Sequence, residues 1–62
     1  MGASYSKWNK DLAKRLTDAG ITARVDPNKS DVENWDHLWI LCLRYNLVKD
    51  GEKIYVKEIL NK

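Results

Sequence analysis

The chain has 62 residues, of which 44% are hydrophobic and 32% are charged, and its formal net charge is +2 at pH 7. This length allows one domain with a small core, and the composition is that of a folded protein and not of a disordered tail. No stretch of the sequence reaches the roughly 18 apolar residues that a membrane span needs. We therefore expect one small binding domain over residues 1–62, flexible over residues 1–5.

The first predicted element is a helix from about Ser6 to Ala19. Trp8, Leu12 and Leu16 recur at a spacing of four residues, and Gly20 stands where a glycine commonly ends a helix. The opposite side of this helix carries the charged residues, which are Lys7, Lys10, Asp11, Lys14 and Asp18. The pattern predicts an amphipathic helix with a lysine-rich outer face.

The middle of the chain gives a short strand, a turn and a second helix. Residues 21–25 alternate apolar and polar side chains with β-branched residues, which predicts a strand, and residues 26–30 are typical of a turn. Ser30 followed by Glu33 is a capping box, which predicts a helix that begins at Asp31. The continuous apolar run of residues 38–43 is also compatible with a buried strand, although the cap and the length of the segment favour a helix.

The end of the chain predicts a β-hairpin. Asp50-Gly51 lies between residues 47–49 and residues 52–57, and an Asp-Gly pair between such segments is typical of a two-residue hairpin turn. In the second strand Lys53, Tyr55 and Lys57 would share one face. The order helix, strand, helix, hairpin predicts an α+β fold that is winged-helix-like, with another compact three-stranded α+β fold as the alternative.

Catalytic chemistry is not indicated by any pattern of residues. The sequence contains no glycine-rich phosphate loop and no nucleophile paired with a base, and the acidic residues near Asp31 are explained by the positive end of the helix dipole. The single cysteine, Cys42, excludes an intramolecular disulfide and suggests a reducing compartment, and His37 is also alone. We expect no enzyme, no cofactor and no metal, in an intracellular protein of the cytoplasm, nucleus or nucleoid.

The leading functional hypothesis is nucleic-acid binding through the predicted hairpin. Its basic face, with one aromatic ring, would contact phosphates and stack on a base, and DNA would be the partner. The residues expected to take part are Lys49, Lys53, Tyr55, Lys57 and Arg44. The alternative is a solvated strand face whose lysines discourage edge pairing.

A protein partner is the second hypothesis. Four aromatic residues, Tyr5, Trp35, Trp39 and Tyr45, exceed what so small a core needs, and aromatic residues are enriched at protein interfaces. Trp35, next to the acidic first turn of the second helix, is the aromatic residue that we expect to be partly exposed. The alternative is that all three Trp residues pack in the core.

Membrane association is the third hypothesis. Met1-Gly2 with Ser6 matches the N-myristoylation pattern, which would place an acyl chain on Gly2. A basic group on the adjacent helix could bind anionic lipids as a second signal, and it consists of Lys7, Lys10, Lys14 and Arg15. This opening resembles that of retroviral matrix proteins of the betaretrovirus type, over about the first third of the chain. The resemblance implies an acylated glycine beside a basic helical face in a longer, all-helical domain, from which the predicted hairpin departs. Met-Gly is also a common remnant of expression cloning.

Overall fold

Three helices form the regular structure of residues 5–61. The computed structural model describes residues 5–61, with helices at Tyr5–Asp18 (α1), Asp31–Arg44 (α2) and Lys53–Leu60 (α3), and a 3₁₀ turn at Asp50–Glu52 directly before α3. Within residues 5–61 there is no β-strand. The predicted α+β, winged-helix-like fold is therefore wrong, and the architecture is all-helical.

Helix α1 agrees with the prediction to within one residue at each end. Leu12 and Leu16 are buried on its inner face. Beyond its last residue Gly20 adopts a φ of 85°, and the N–H of Ile21 donates to the carbonyl of Leu16 over 2.9 Å. This positive φ is unfavourable for residues with a Cβ atom, so Gly20 ends the helix as predicted.

Helix α2 begins at the predicted capping box. The N–H of Glu33 donates to the Ser30 hydroxyl over 3.2 Å, and the N–H of Ser30 donates to the Glu33 carboxylate over 3.3 Å. The apolar run of residues 38–43 is helical, which excludes the alternative of a buried strand. The helix ends before Asn46, whose φ of 58° turns the chain so that the N–H of Leu47 reaches the carbonyl of Cys42 over 2.7 Å.

The segment predicted as a first strand is an irregular connection along the core. Ile21 and Ala23 pack against the core while Thr22 and Arg24 are exposed, so the predicted alternation of side chains is present. No second segment among the described residues pairs with it, and the prediction of a strand is wrong. An alternation of this kind requires only that one side of the chain covers an apolar surface.

The predicted hairpin at Asp50-Gly51 is also wrong. Gly51 does not have the positive φ that the hairpin turn needs. Instead the N–H of Glu52 donates to the carbonyl of Lys49 over 2.9 Å, and the N–H of Lys49 donates to the Glu52 carboxylate over 3.1 Å. These bonds close the first turn of a helical segment, which continues as α3 and buries Val56 and Ile59.

The core is one cluster to which all three helices contribute. Trp39 lies at its centre with no exposed surface, and the Tyr55 ring of α3 stacks on it at a centroid distance of 5.7 Å. The thiol of Cys42 is also fully buried, and burial raises its pKa. The buried apolar residues are Leu12, Leu16, Trp35, Leu38, Trp39, Cys42, Val56 and Ile59.

Candidate functional site

A row of three lysines forms the outer face of α1. Lys7, Lys10 and Lys14 are all exposed, and their spacing of three and four residues places them on one side of the helix. The buried Leu12 and Leu16 lie on the opposite side, against α2. The lysine-rich outer face that the sequence predicts is confirmed, and we call these three residues the lysine row.

Two carboxylates accompany the lysine row and lower its net charge. Lys14 pairs with Asp18 one turn further along, with 3.2 Å between Nζ and Oδ2. Asp11 is exposed beside the row, and neither Lys7 nor Lys10 forms an ion pair with any described residue. The free charge is therefore concentrated at the N-terminal end of α1.

The basic face predicted for the hairpin does not form. Lys53 and Lys57 share an exposed side of α3, but Tyr55 lies between them in sequence and points to the other side, where its ring contacts Trp8 at 5.0 Å. Two residues correspond to about 200° around a helix, whereas they return to the same face in a strand. Lys53 pairs with Asp50 over 3.2 Å.

The other two predicted nucleic-acid contacts lie apart from this side of α3. Arg44 is exposed as the last residue of α2, and Lys49 is exposed in the segment before the 3₁₀ turn. The projecting wing, on which the nucleic-acid hypothesis depended, is absent from the described residues. The lysines of α3 therefore remain a solvated helix face.

Trp35 is buried and not at the surface. Its exposed fraction is 8%, and its ring meets the rings of Tyr5 and Trp8 edge to face, with centroids 5.3 and 6.2 Å away. The most exposed aromatic residue is Tyr45, at 50%, just after α2. The expectation of a partly exposed Trp35 is therefore corrected, because the first turns of α1 cover this ring.

Arg15 of α1 forms hydrogen bonds on one side of the core that join α1 to the 3₁₀ turn and to the segment after α2. Its guanidinium donates two hydrogen bonds to the Glu52 carboxylate, at 2.8 and 3.1 Å, and a third to the carbonyl of Leu47 at 3.2 Å. The bonds to Arg15 hold the pKa of Glu52 below its ordinary value and raise that of Arg15 itself. Sequence reasoning missed this pair, because 37 residues separate its members.

A small cavity of about 160 Å³ adjoins this ion pair, between α1, α2 and the 3₁₀ turn. The guanidinium of Arg15 lies 5.7 Å from the centroid of the Trp39 ring on its wall, and the buried indole N–H of Trp39 has no hydrogen-bond partner among the described residues. Its lining residues are Trp8, Asp11, Leu12, Arg15, Trp39 and Glu52. Three N–H donors of Arg15 are engaged by Glu52 and Leu47, so the pair acts as a structural link.

Two further kinds of site are not found among residues 5–61. No helix within residues 5–61 is long and apolar enough to cross a membrane. The same residues hold no group of three or more His, Cys, Asp or Glu that could bind a metal ion. Gly2, the predicted acylation site, lies outside the described residues.

No protein-family model, curated protein or solved structure matches this sequence.

Proposed function

We propose that this chain is a peripheral membrane-binding module that attaches to anionic lipid surfaces through the lysine row of α1, together with an acyl group on Gly2. The observation that carries the proposal is the placement of Lys7, Lys10 and Lys14 on one exposed side of the first helix. A helix that presents one line of cations can bring all of them to a flat surface at the same time.

The distances along α1 suit such a surface. Lys7 and Lys14 are seven residues apart, which corresponds to about 10 Å along a helix axis. Three residue steps separate Gly2 from Tyr5, the first described residue of α1, and they span at most about 10 Å. An acyl chain on Gly2 therefore enters the lipid close to the point where Lys7 meets the headgroups.

Stable attachment to a membrane requires both the acyl chain on Gly2 and the lysine row. A single myristoyl chain binds membranes with an association constant of only about 10⁴ M⁻¹, so stable attachment needs a second signal. Each lysine near an anionic surface contributes about 1 kcal/mol, and the lysine row supplies that second signal in part. Asp11 and Asp18 reduce its attraction, which makes the attachment reversible and sensitive to salt.

The all-helical fold supports this proposal. The resemblance of about the first third of the chain to matrix proteins implied a longer domain made of helices, and the predicted hairpin was a feature that departed from it. The described residues contain helices only, so that departure no longer stands against the membrane hypothesis.

The test compares two charge reversals of equal size on different helices. We would co-express the chain with an N-myristoyltransferase, verify the acyl mass on Gly2, and measure flotation with phosphatidylcholine vesicles that contain or lack phosphatidylserine. Lys7→Glu with Lys10→Glu should lower binding to the anionic vesicles at least about tenfold. Lys53→Glu with Lys57→Glu on α3 is the matched control, with the same net charge, and should lower it much less.

The outcomes separate the two parts of the proposal. Gly2→Ala should abolish acylation and leave only weak, salt-dependent binding through the lysine row. A missing acyl mass contradicts the acylation at Gly2. Equal losses for the α1 and α3 reversals show that only the overall charge matters, and they overturn the proposed face.

A further inference from the structure

Helix α2 carries an apolar stripe on an exposed side, next to the face that it buries in the core. Val32, Ile40 and Leu43 have exposed fractions of 41%, 37% and 42%. Their helical positions lie within about 80° of one another, and we call these three residues the α2 stripe. The stripe belongs to a helix whose other side is already covered by α1 and α3.

Two charges of opposite sign flank the α2 stripe. Glu33 is exposed in the first turn of α2, and Arg44 is exposed at its last residue. They are eleven residues apart, about three helical turns, so both lie on the same flank of the stripe. Val32 and Leu43 are also eleven residues apart. The surface therefore has an apolar residue at each end, with a negative charge beside the first and a positive charge beside the last.

We propose that the α2 stripe pairs with the same stripe of a second copy of this chain, with the two α2 helices antiparallel about a two-fold axis. In this arrangement Val32 packs near Leu43 of the second copy, and Ile40 packs near the half-buried Asp36 of the second copy, close to the axis. Glu33 faces Arg44 of the second copy, and the two-fold symmetry forms this ion pair twice.

The charges identify the occupant as a second copy. A two-fold interface requires a patch that is complementary to itself after reversal, and opposite charges near the two ends of the α2 stripe meet that requirement. A parallel pair would place Glu33 against Glu33 and Arg44 against Arg44, which is repulsive. Antiparallel helices also oppose their dipoles favourably.

The size of the surface sets the strength of this pairing. Three partly exposed apolar side chains per copy bury far less than the roughly 800 Å² per partner of a standard interface. Asp36, half-buried within the stripe, limits the apolar area further. The dimer is therefore weak and exchanges rapidly with monomer.

This pairing is independent of membrane binding but would reinforce it. The lysine row lies on the side of α1 that faces away from α2, so the two surfaces do not compete. A dimer would carry two acyl groups and two lysine rows, and linked binding sites raise the overall affinity without any new contact.

The test uses complementary charge variants of the unacylated chain. Sedimentation equilibrium from about 10 μM to about 1 mM should show a reversible monomer–dimer equilibrium for the unmodified chain. Arg44→Glu places two acidic groups opposite each other, and Glu33→Lys places two basic groups opposite each other. Each variant alone should weaken dimerisation at least about tenfold. An equimolar mixture of the two should restore it, because one ion pair then forms between Glu33 and Arg44 as before and the other forms between the two introduced charges.

The controls keep a folding defect apart from a lost interface. Glu33→Lys also removes half of the Ser30 capping box, whereas Arg44→Glu leaves the cap intact, so circular dichroism and thermal unfolding should be measured for both. Ile40→Glu should abolish dimerisation in every combination. Three results would each overturn the proposal: an unmodified chain that stays monomeric at the highest concentration, an Arg44→Glu variant that dimerises as before, or a mixture that stays monomeric.

Discussion

Helices α1 and α3 both pack on α2, but they are held in different ways. The 14 residues of α1 bury Leu12 and Leu16 against α2, and the Asn9 side chain donates to the carbonyl of Asp31 over 2.9 Å. The eight residues of α3 bury only Val56 and Ile59. Isolated helices shorter than about 12 residues are marginal in water, so α3 depends on its attachment to the other two.

The ion pair of Arg15 and Glu52 partly offsets this difference. It joins α1 directly to the turn before α3, where a small apolar surface alone would hold the end of the chain weakly. The comparison indicates that α1 and α2 form the stable part of the domain. It also indicates that α3 opens first, because local stability follows buried apolar contacts.

The largest expected effect on stability is at Trp39, which contacts residues of both α1 and α3. Trp39→Ala leaves a cavity at the centre of the core and should lower the free energy of unfolding by about 3–5 kcal/mol. That is a large part of the total stability of a small domain, so the variant should be mostly unfolded. Urea denaturation followed by circular dichroism measures the change. Tyr45→Ala, at a half-exposed position, should change stability by no more than about 0.5 kcal/mol.

The second largest expected effect is a destabilisation that is confined to α3. Val56→Ala removes buried methyl groups from the smaller attachment and should cost about 2 kcal/mol. Amide hydrogen exchange should then accelerate strongly in α3 and much less in α1 and α2. Equal acceleration in all three helices would mean that the domain opens as a single unit, and the proposed difference between α1 and α3 would be wrong.

The smallest expected effect on the free energy of unfolding is that of the Arg15–Glu52 ion pair, and it depends on pH. The folded-state pKa of Glu52 lies below its ordinary value of 4.5, because Arg15 stabilises the charged carboxylate. Its contribution is therefore present above about pH 4.5 and is lost as the pH falls through the lower folded-state pKa. Glu52→Gln should lower the free energy of unfolding by about 1 kcal/mol at neutral pH. The difference between the two chains should shrink towards acidic pH, as measured by urea denaturation at each pH.

The sequence predicted α1 and α2 well, because each boundary depends on a local interaction. The Ser30–Glu33 capping box and the positive φ of Gly20 involve residues that are close in the chain. The outer position of Lys7, Lys10 and Lys14 followed from the same helical spacing. Local patterns of this kind are readable from one sequence.

The C-terminal segment was predicted incorrectly because two periodicities fit it equally well. Ile54-Tyr55-Val56 is typical of a strand, whereas Tyr55, Val56 and Ile59 also share one side of a helix. Contacts with Trp8 and Trp39 decide between these alternatives, and those residues are distant in sequence. The Arg15–Glu52 pair was not predictable for the same reason. The burial of Trp35 likewise depends on its neighbours in α1.

The buried thiol of Cys42 makes the chain its own reporter of core opening. It is the single cysteine of the sequence, it has no exposed surface, and burial raises its pKa. A thiol reagent reacts with the thiolate and needs access to it, so alkylation must wait until α2 separates from its neighbours. At reagent concentrations where alkylation is faster than reclosing, the rate of alkylation therefore measures the frequency of that separation, in dilute buffer or on a vesicle, without an added label.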